Sequence, residues 1–178
     1  MDLSKTTVFN YSSLEFIMRI LWGGFHKTLW RLLWHRLYFL RPLSLKIFGA
    51  NVRLKSMMYG STRIFNPKTF KMGEYSTLGP RVEVYNLGSV EIGSHTVISQ
   101  DAYLCGGTHD YKMDGMPLVK ADIVVGNRCW ICAGAFLGPG VHIGDDVIVG
   151  ARAVVTKNIP NGAVVVGNPG AVIKIRNL

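Results

Sequence analysis

The sequence predicts an all-β solenoid, a parallel β-helix of about five triangular coils preceded by an N-terminal helical segment. Three observations in one stretch predict it. Residues 125–160 divide into six consecutive hexapeptides, VGNRCW, ICAGAF, LGPGVH, IGDDVI, VGARAV and VTKNIP, each opening on Val, Ile or Leu. The second place is small in five of the six: Gly126, Cys132, Gly138, Gly144 and Gly150. The fifth place is small or β-branched throughout: Cys129, Ala135, Val141, Val147, Ala153 and Ile159. A helix repeats at about 3.6 residues and an ordinary strand at about 2, so a sustained period of six fits neither. It fits a three-sided prism with one hexapeptide per side, whose repeats bury their apolar face only against their neighbours. The aliphatic anchor fills the interior, the fifth residue fits the tight space beside it, and glycine permits the corner.

Taken in order, the chain divides into a tail and helical segment over residues 1–50, the β-helix over 51–160, and a strand with a basic tail over 161–178. Residues 1–12 are polar. A strongly apolar, aromatic stretch follows from Leu14 to Leu40, helical in composition, with a bend expected at Gly23-Gly24. Glu15, Arg19, Lys27, Arg31, Arg36 and Arg41 interrupt it too often for a membrane span. It also lacks the short apolar core and small-residue cleavage site of a signal peptide. Lys27, Arg31, His35 and Tyr38 recur at three- and four-residue spacing and form one basic stripe. Trp22, Phe25, Trp30, Trp34 and Phe39 cover the rest. Either the apolar faces pack on the prism or on another subunit with the stripe in water, or residues 14–41 lie against an anionic membrane surface. Pro42 is expected to stop the helix.

Hexads begin imperfectly at Val52, Met58, Ile64 and Phe70, then reset two residues on at MGEYST and LGPRVE. The next unit, VYNLGSVE, is two residues too long, and IGSHTV, ISQDAY and LCGGTH follow in register. Residues 110–124, DYKMDGMPLVKADIV, break the period and must leave the prism as a loop, a place where function commonly sits. After Pro160 an extended run and a Gly-Asn-Pro-Gly turn are expected to cap or flank the last coil.

At 178 residues the chain suits one domain with a real core. Net charge is +9, and residues 1–60 hold nine Lys/Arg against two Asp/Glu, so the basic excess belongs to the N-terminal segment. The repeats carry no basic patch interleaved with stacking aromatics, which argues against nucleic acid as a partner. Three cysteines without a secretion signal point to reduced thiols in a cytoplasmic protein. Cys129-x-x-Cys132 has the spacing of a redox or metal half-site. Yet the two occupy a fifth and a second place of their hexads, and no second pair completes a zinc site.

Chemistry has few places to sit. There is no nucleophile elbow, no phosphate-binding Gly-x-x-x-x-Gly-Lys motif and no metal-spaced histidine pair. His26 and His35 belong to the helical segment, and His95 and His142 to outward places of regular hexads. His109 ends a hexad where the loop departs, within Gly-Gly-Thr-His-Asp-Tyr. An imidazole there can be held in one orientation and still meet a ligand, and imidazole suits taking a proton near neutral pH.

Gly107-Thr108-His109-Asp110-Tyr111, Cys129-Trp130-Ile131, Val155-Thr156-Lys157-Asn158-Ile159-Pro160 and Gly167-Asn168-Pro169 together resemble the sugar O-acetyltransferases of the maltose/galactoside/nodulation group. Within it they are most similar to the colanic acid biosynthesis acetyltransferases. The resemblance covers roughly residues 40–176. It implies a left-handed β-helix, acetyl-CoA as co-substrate, a saccharide acceptor, no metal, and a homotrimer with active sites between subunits. It implies His109 as general base and Asn86 as a side-chain amide beside it, with Asp110, Tyr85 and Trp130 towards the acceptor. Backbone groups at Ala133 and Ala151, with Thr156, Lys157 and Lys174, would meet coenzyme A. Ala133 stands where relatives often have serine, which a main-chain contact tolerates. Transfer to an amine or an antibiotic hydroxyl remains open within the same fold. So do a zinc hydrase of the γ-carbonic-anhydrase type and a non-catalytic scaffold.

Overall fold

The computed structural model describes residues 12–33 and 37–177, and it is a parallel β-solenoid. Face I is built from Asn51–Val52, Phe70–Met72, Val90–Ile92, Ile123–Val125 and His142–Ile143. Face II takes Met57–Met58, Thr77–Leu78, Val97–Ile98, Trp130–Ile131, Ile148–Val149 and Ala163–Val166. Face III takes Arg63–Ile64, Glu83–Tyr85, Tyr103–Cys105, Phe136–Leu137 and Val154–Val155. That makes five full coils and the start of a sixth, which returns to face I at the parallel bridge of Ile159 to Ile143. The parallel pairing of Ala163–Val166 with Ile148–Val149 carries the solenoid past residue 160. Ala171–Ile175 then folds back antiparallel and closes that edge of face II.

The hexad logic explains the interior. Ile98, Leu104, Ile131, Leu137 and Val149 are fully buried anchors, one per side. Each contributes roughly 1.5–3 kcal/mol of burial. The fifth places stack into a second inner column, and polar members are satisfied within it. Thr96 Oγ1 donates to the Gly126 carbonyl (2.7 Å), and Cys129 Sγ donates to the Gly144 carbonyl (3.0 Å). Burial raises the thiol pKa of both Cys129 and Cys132, so this pair behaves as packing. The second-place glycines are forced by close approach: a Cβ on Gly126 would lie 2.7 Å from the Gly144 backbone. Between faces II and III, Arg81 grips Asp101 with two bonds (2.6 and 2.7 Å). Between faces I and II, Arg128 grips Asp146 in the same way.

The helical segment differs from expectation in three respects. Helix α1 (Ser13–Lys27) runs straight through Gly23-Gly24, where a Cβ would meet nothing. It breaks instead at Thr28, whose hydroxyl donates back to the Gly24 carbonyl (2.7 Å). Helix α2 (Leu29–Leu32) follows, and Pro42 lies inside helix α3 (Leu40–Ile47) rather than ending a helix. Proline is tolerated in that first turn because its missing N–H would have no helical partner there.

Most informative is the direction in which α1 faces. Trp22 is 3% exposed and its Nε1–H donates to the Ile64 carbonyl (2.7 Å). His26 Nε2–H donates to the Thr62 carbonyl (2.9 Å). Trp22 also packs on Trp30 and Phe48, with ring centroids 5.7 and 5.2 Å away, and closes the open end of the prism. Leu14, Phe16, Ile17, Ile20 and Leu21 point outward and are exposed. The aliphatic side of α1 is therefore not packed on the prism. Of the basic stripe, Lys27, Arg31 and Tyr38 are exposed, and His35 lies outside the described residues. No described helix is long and apolar enough to cross a membrane.

Candidate active site

The edge between faces III and I is where the repeat is irregular, and it carries His109. In the first coil this edge is two residues longer than the hexad period allows, over Asn66–Thr69, and in the second again over Asn86–Ser89, so the coils pair Val52 to Met72 to Ile92 at a spacing of 20. The reset after Phe70 and the overrun in VYNLGSVE are thus the same feature, stacked. Asn86 holds it together. Its Nδ2 donates to the Asn66 carbonyl (2.5 Å) and to Thr69 Oγ1 (2.9 Å), and its Oδ1 accepts from the Asn66 N–H (3.0 Å). Asn86 has no exposed surface. Of its two expected roles, an amide beside the base or a turn residue of the overrun, these bonds match the turn: the amide ties the second-coil corner to Asn66 and Thr69 of the first.

In the third coil the same edge opens into a hairpin. Gly107–His109 pairs antiparallel with Leu118–Lys120, with His109 opposite Leu118. The excursion therefore begins before residue 110, and Ile123–Val125 already belongs to face I because Ile123 and Val125 are buried anchors. Gly107 packs tightly against Leu87, whose side chain would have to move to admit a Cβ there.

His109 is exposed, and its Nδ1 lies 2.6 Å from the Met116 carbonyl. A carbonyl only accepts, so Nδ1 carries the proton and Nε2 keeps its lone pair. Met116 reaches this position in the left-handed region (φ +42°), following Gly115 at +79°. Such backbone is costly for a side-chain-bearing residue by about 1–3 kcal/mol and tends to persist where it serves a site. Asp110 does not orient His109. Its carboxylate accepts from the Lys112 N–H (3.0 Å), and its own N–H donates to the Pro117 carbonyl (3.0 Å), so it shapes the hairpin turn.

The other candidates are distributed around the prism. Tyr85 is half-buried on face III, its ring edge-on to Phe65 at 5.1 Å, and it pairs with Cys105, four residues before His109. Thr156 and Lys157 are exposed on the same III–I edge two coils beyond the hairpin. Ala133 and Ala151 stack on the II–III edge, where the Ala133 carbonyl accepts from the Arg152 N–H (2.9 Å). Lys174 is exposed on the returning strand opposite Val164. Trp130 stands on face II, 51% exposed, its Nε1–H donating to Ser99 Oγ (3.0 Å). One chain thus brings His109 and Lys157 to one edge and leaves Trp130, Ala133 and Ala151 elsewhere. His95 stacks on Tyr75 at the I–II edge and His142 lies on face I, so these histidines do not converge with His109. Among the described residues no three metal-binding side chains cluster.

Relatives resolve what this architecture is used for. The description bacterial transferase hexapeptide (six repeats) matches residues 122–157. WcaF of Escherichia coli (strain K12), which carries the name of a colanic acid biosynthesis acetyltransferase, is 38% identical over 156 residues, 88% of this chain and 86% of that protein. The chain belongs to the hexapeptide-repeat acetyltransferases. WbbJ of the same organism, named for lipopolysaccharide biosynthesis O-acetyl transfer, is 28% identical over 142 residues, 73% of this chain and 69% of that one. The fold of a Vibrio cholerae hexapeptide-repeat acetyltransferase in complex with acetyl coenzyme A matches with a TM-score of 0.83 at 21% identity, over 100% of both chains. For a hexapeptide-repeat acetyltransferase the least readable part of the site was the Met116 carbonyl. It is a backbone group, and Gly115 before it is the one residue that hinted at a special turn.

Proposed function

We propose that this acetyltransferase moves the acetyl group of acetyl-CoA to a hydroxyl of a saccharide, in the making of a surface polysaccharide. The observation that carries the reading is the bond from His109 Nδ1–H to the Met116 carbonyl, which fixes the tautomer and leaves Nε2 to accept a proton. Nε2 of His109 takes the acceptor hydroxyl proton as that oxygen bonds to the thioester carbonyl carbon. The tetrahedral intermediate then expels the coenzyme A thiolate, and the proton passes from His109 to sulfur. No acyl-enzyme is required, because the gain comes from holding both substrates against one base.

Thr156, Lys157 and Lys174, with the backbone at Ala133 and Ala151, bind coenzyme A, the lysines as mobile point charges for phosphate. Asp110, Tyr85 and Trp130 border the acceptor. Because Trp130 stands on a different face from His109, the site is completed between subunits of a homotrimer in the cytoplasm. Met57, Thr77, Val97, Trp130 and Ile148 form an outward column on face II that such an interface would cover. The outward aliphatic side of α1 supports peripheral membrane contact through residues 14–41.

The test is acetyl transfer against a panel of neutral, amino and carrier-linked saccharides, with the product analysed for ester or amide. An ester that mild base removes, formed only with acetyl-CoA, supports the proposal. A base-stable amide would transfer the reading to an amine acceptor, and no transfer with any acceptor would sink it.

A further inference from the structure

Beside the helical cap lie two adjoining depressions of about 1040 and 480 Å³, which share Arg31, Arg63 and Glu83. Ligand sites commonly occupy about 300–1,000 Å³. Among the described residues, the larger is lined by four guanidinium groups, Arg31, Arg41, Arg63 and Arg81, against the single carboxylate Glu83. Two of the four are partly compensated: Arg81 by its two bonds to Asp101, and Arg63 by a long 4.0 Å contact to Glu83. Among the described residues no carboxylate pairs with Arg31 or Arg41.

Arg41 is the unusual member. It is only 5% exposed. Its two terminal nitrogens donate to the Met58 carbonyl (3.1 Å) and the Leu33 carbonyl, while its Nε is buried without a partner among the described residues. Gly60 packs closely beside it: a Cβ there would lie 3.1 Å from Arg41 Nη2. A buried guanidinium with no carboxylate is expensive and is relieved by an anion. Paired guanidinium forks match phosphoryl oxygens better than any other side chain does. The groove also has an apolar wall: Leu32 lines it at 78% exposure, next to exposed Leu29. At its other end lies Tyr85, on the strand that pairs with the one leading to His109.

We propose that this groove binds the diphosphate of a carrier-linked saccharide acceptor, with the sugar directed along face III towards His109. The inference rests on the saccharide reading above and adds the acceptor class: a diphosphate ester, whose carrier is either an isoprenoid lipid or a nucleotide.

Calorimetric titration of the full-length protein with inorganic diphosphate, farnesyl diphosphate and uridine diphosphate tests it, with saturating coenzyme A present so that its own phosphate site is filled. All three probes should bind. The Arg31→Gln/Arg63→Gln variant, whose altered side chains are surface-exposed, should keep the wild-type melting temperature and bind at least about tenfold more weakly, as expected for loss of charge-assisted bonds. Arg31→Lys, which keeps charge but loses the fork, should fall between them. Tighter farnesyl diphosphate assigns a lipid carrier, and tighter uridine diphosphate a nucleotide carrier. Absence of diphosphate binding, or equal binding by the double variant, overturns the proposal. Because acetyl transfer is not the readout, a failure of the transferase reading and a failure of the groove remain distinguishable.

Discussion

In the coils the anchors Ile131, Leu137, Ile143 and Val149 are 0–2% exposed, whereas on α1 Leu14, Phe16, Ile17 and Ile20 are 52–70% exposed. Both regions are rich in aliphatic residues, and both are well-formed secondary structure. The coils bury theirs because each hexad is covered by the next, so the repeat satisfies itself. Helix α1 is held by Trp22, His26 and Phe25, and among the described residues nothing buries its aliphatic side. Hydrophobicity in one region makes the fold, and in the other stays exposed.

The sharpest way to break this comparison is a matched pair of truncations. Leu137→Ala should cost about 2–5 kcal/mol of stability, by lost burial and an uncollapsed cavity. Ile17→Ala should stay within about 0.5 kcal/mol, as for other exposed positions. Denaturant unfolding of the two variants reads this directly, and similar losses would mean that α1 is part of the core. Asn86→Ala should cost about 1–3 kcal/mol, because it strands the Asn66 N–H and carbonyl in a buried corner. It should also lower acetyl transfer less than removal of His109, as befits a residue whose amide is bonded to Asn66 and Thr69 of the first coil. Ile17→Asp/Ile20→Asp should weaken sedimentation with anionic liposomes while leaving the melting temperature unchanged. Unaltered sedimentation would remove the membrane contact.

The smallest expected effect is a pH dependence from the underside of α1. Burial holds the His26 imidazole below its ordinary pKa, with Arg31 and Arg63 adding to the shift and the Thr62 carbonyl opposing it. The unfolded chain therefore binds more protons than the folded one below about pH 6.5, so this contribution to stability is present above that value and lost as pH falls. The melting temperature should drop between pH 7 and 5, and part of that drop should vanish in His26→Gln. Asp101 and Asp146, held low by their arginines, act in the same direction at more acidic pH.

The period of six made the prism legible because every anchor repeats one rule, and the rule is written in side chains. Departures from it were harder to interpret. The overrun at VYNLGSVE is visible in the sequence, and it leaves Asn86 readable either as a candidate for chemistry or as a turn residue; its stacking on Asn66–Thr69 depends on a pairing 20 residues away. The hairpin edges differ from the expected 110–124 because Gly107 and Thr108 still fit a hexad, while Ile123 precedes the first regular anchor, Val125, and so reads as loop. In the helical segment, Pro42 reads as a terminator unless one knows that a new helix begins at Leu40. The orientation of α1 was not readable at all, since its apolar content is high on every side. His109 was legible as a residue, but the carbonyl that orients it was not.

The central claim is that His109, held by Met116, is the base for acetyl transfer. The most direct measurement is the transfer rate of wild type and His109→Ala, with coenzyme A binding measured on both. The account predicts a loss of about 10²–10⁴-fold in transfer, the range for a general base, with coenzyme A still bound. Transfer by His109→Ala at the wild-type rate would contradict it.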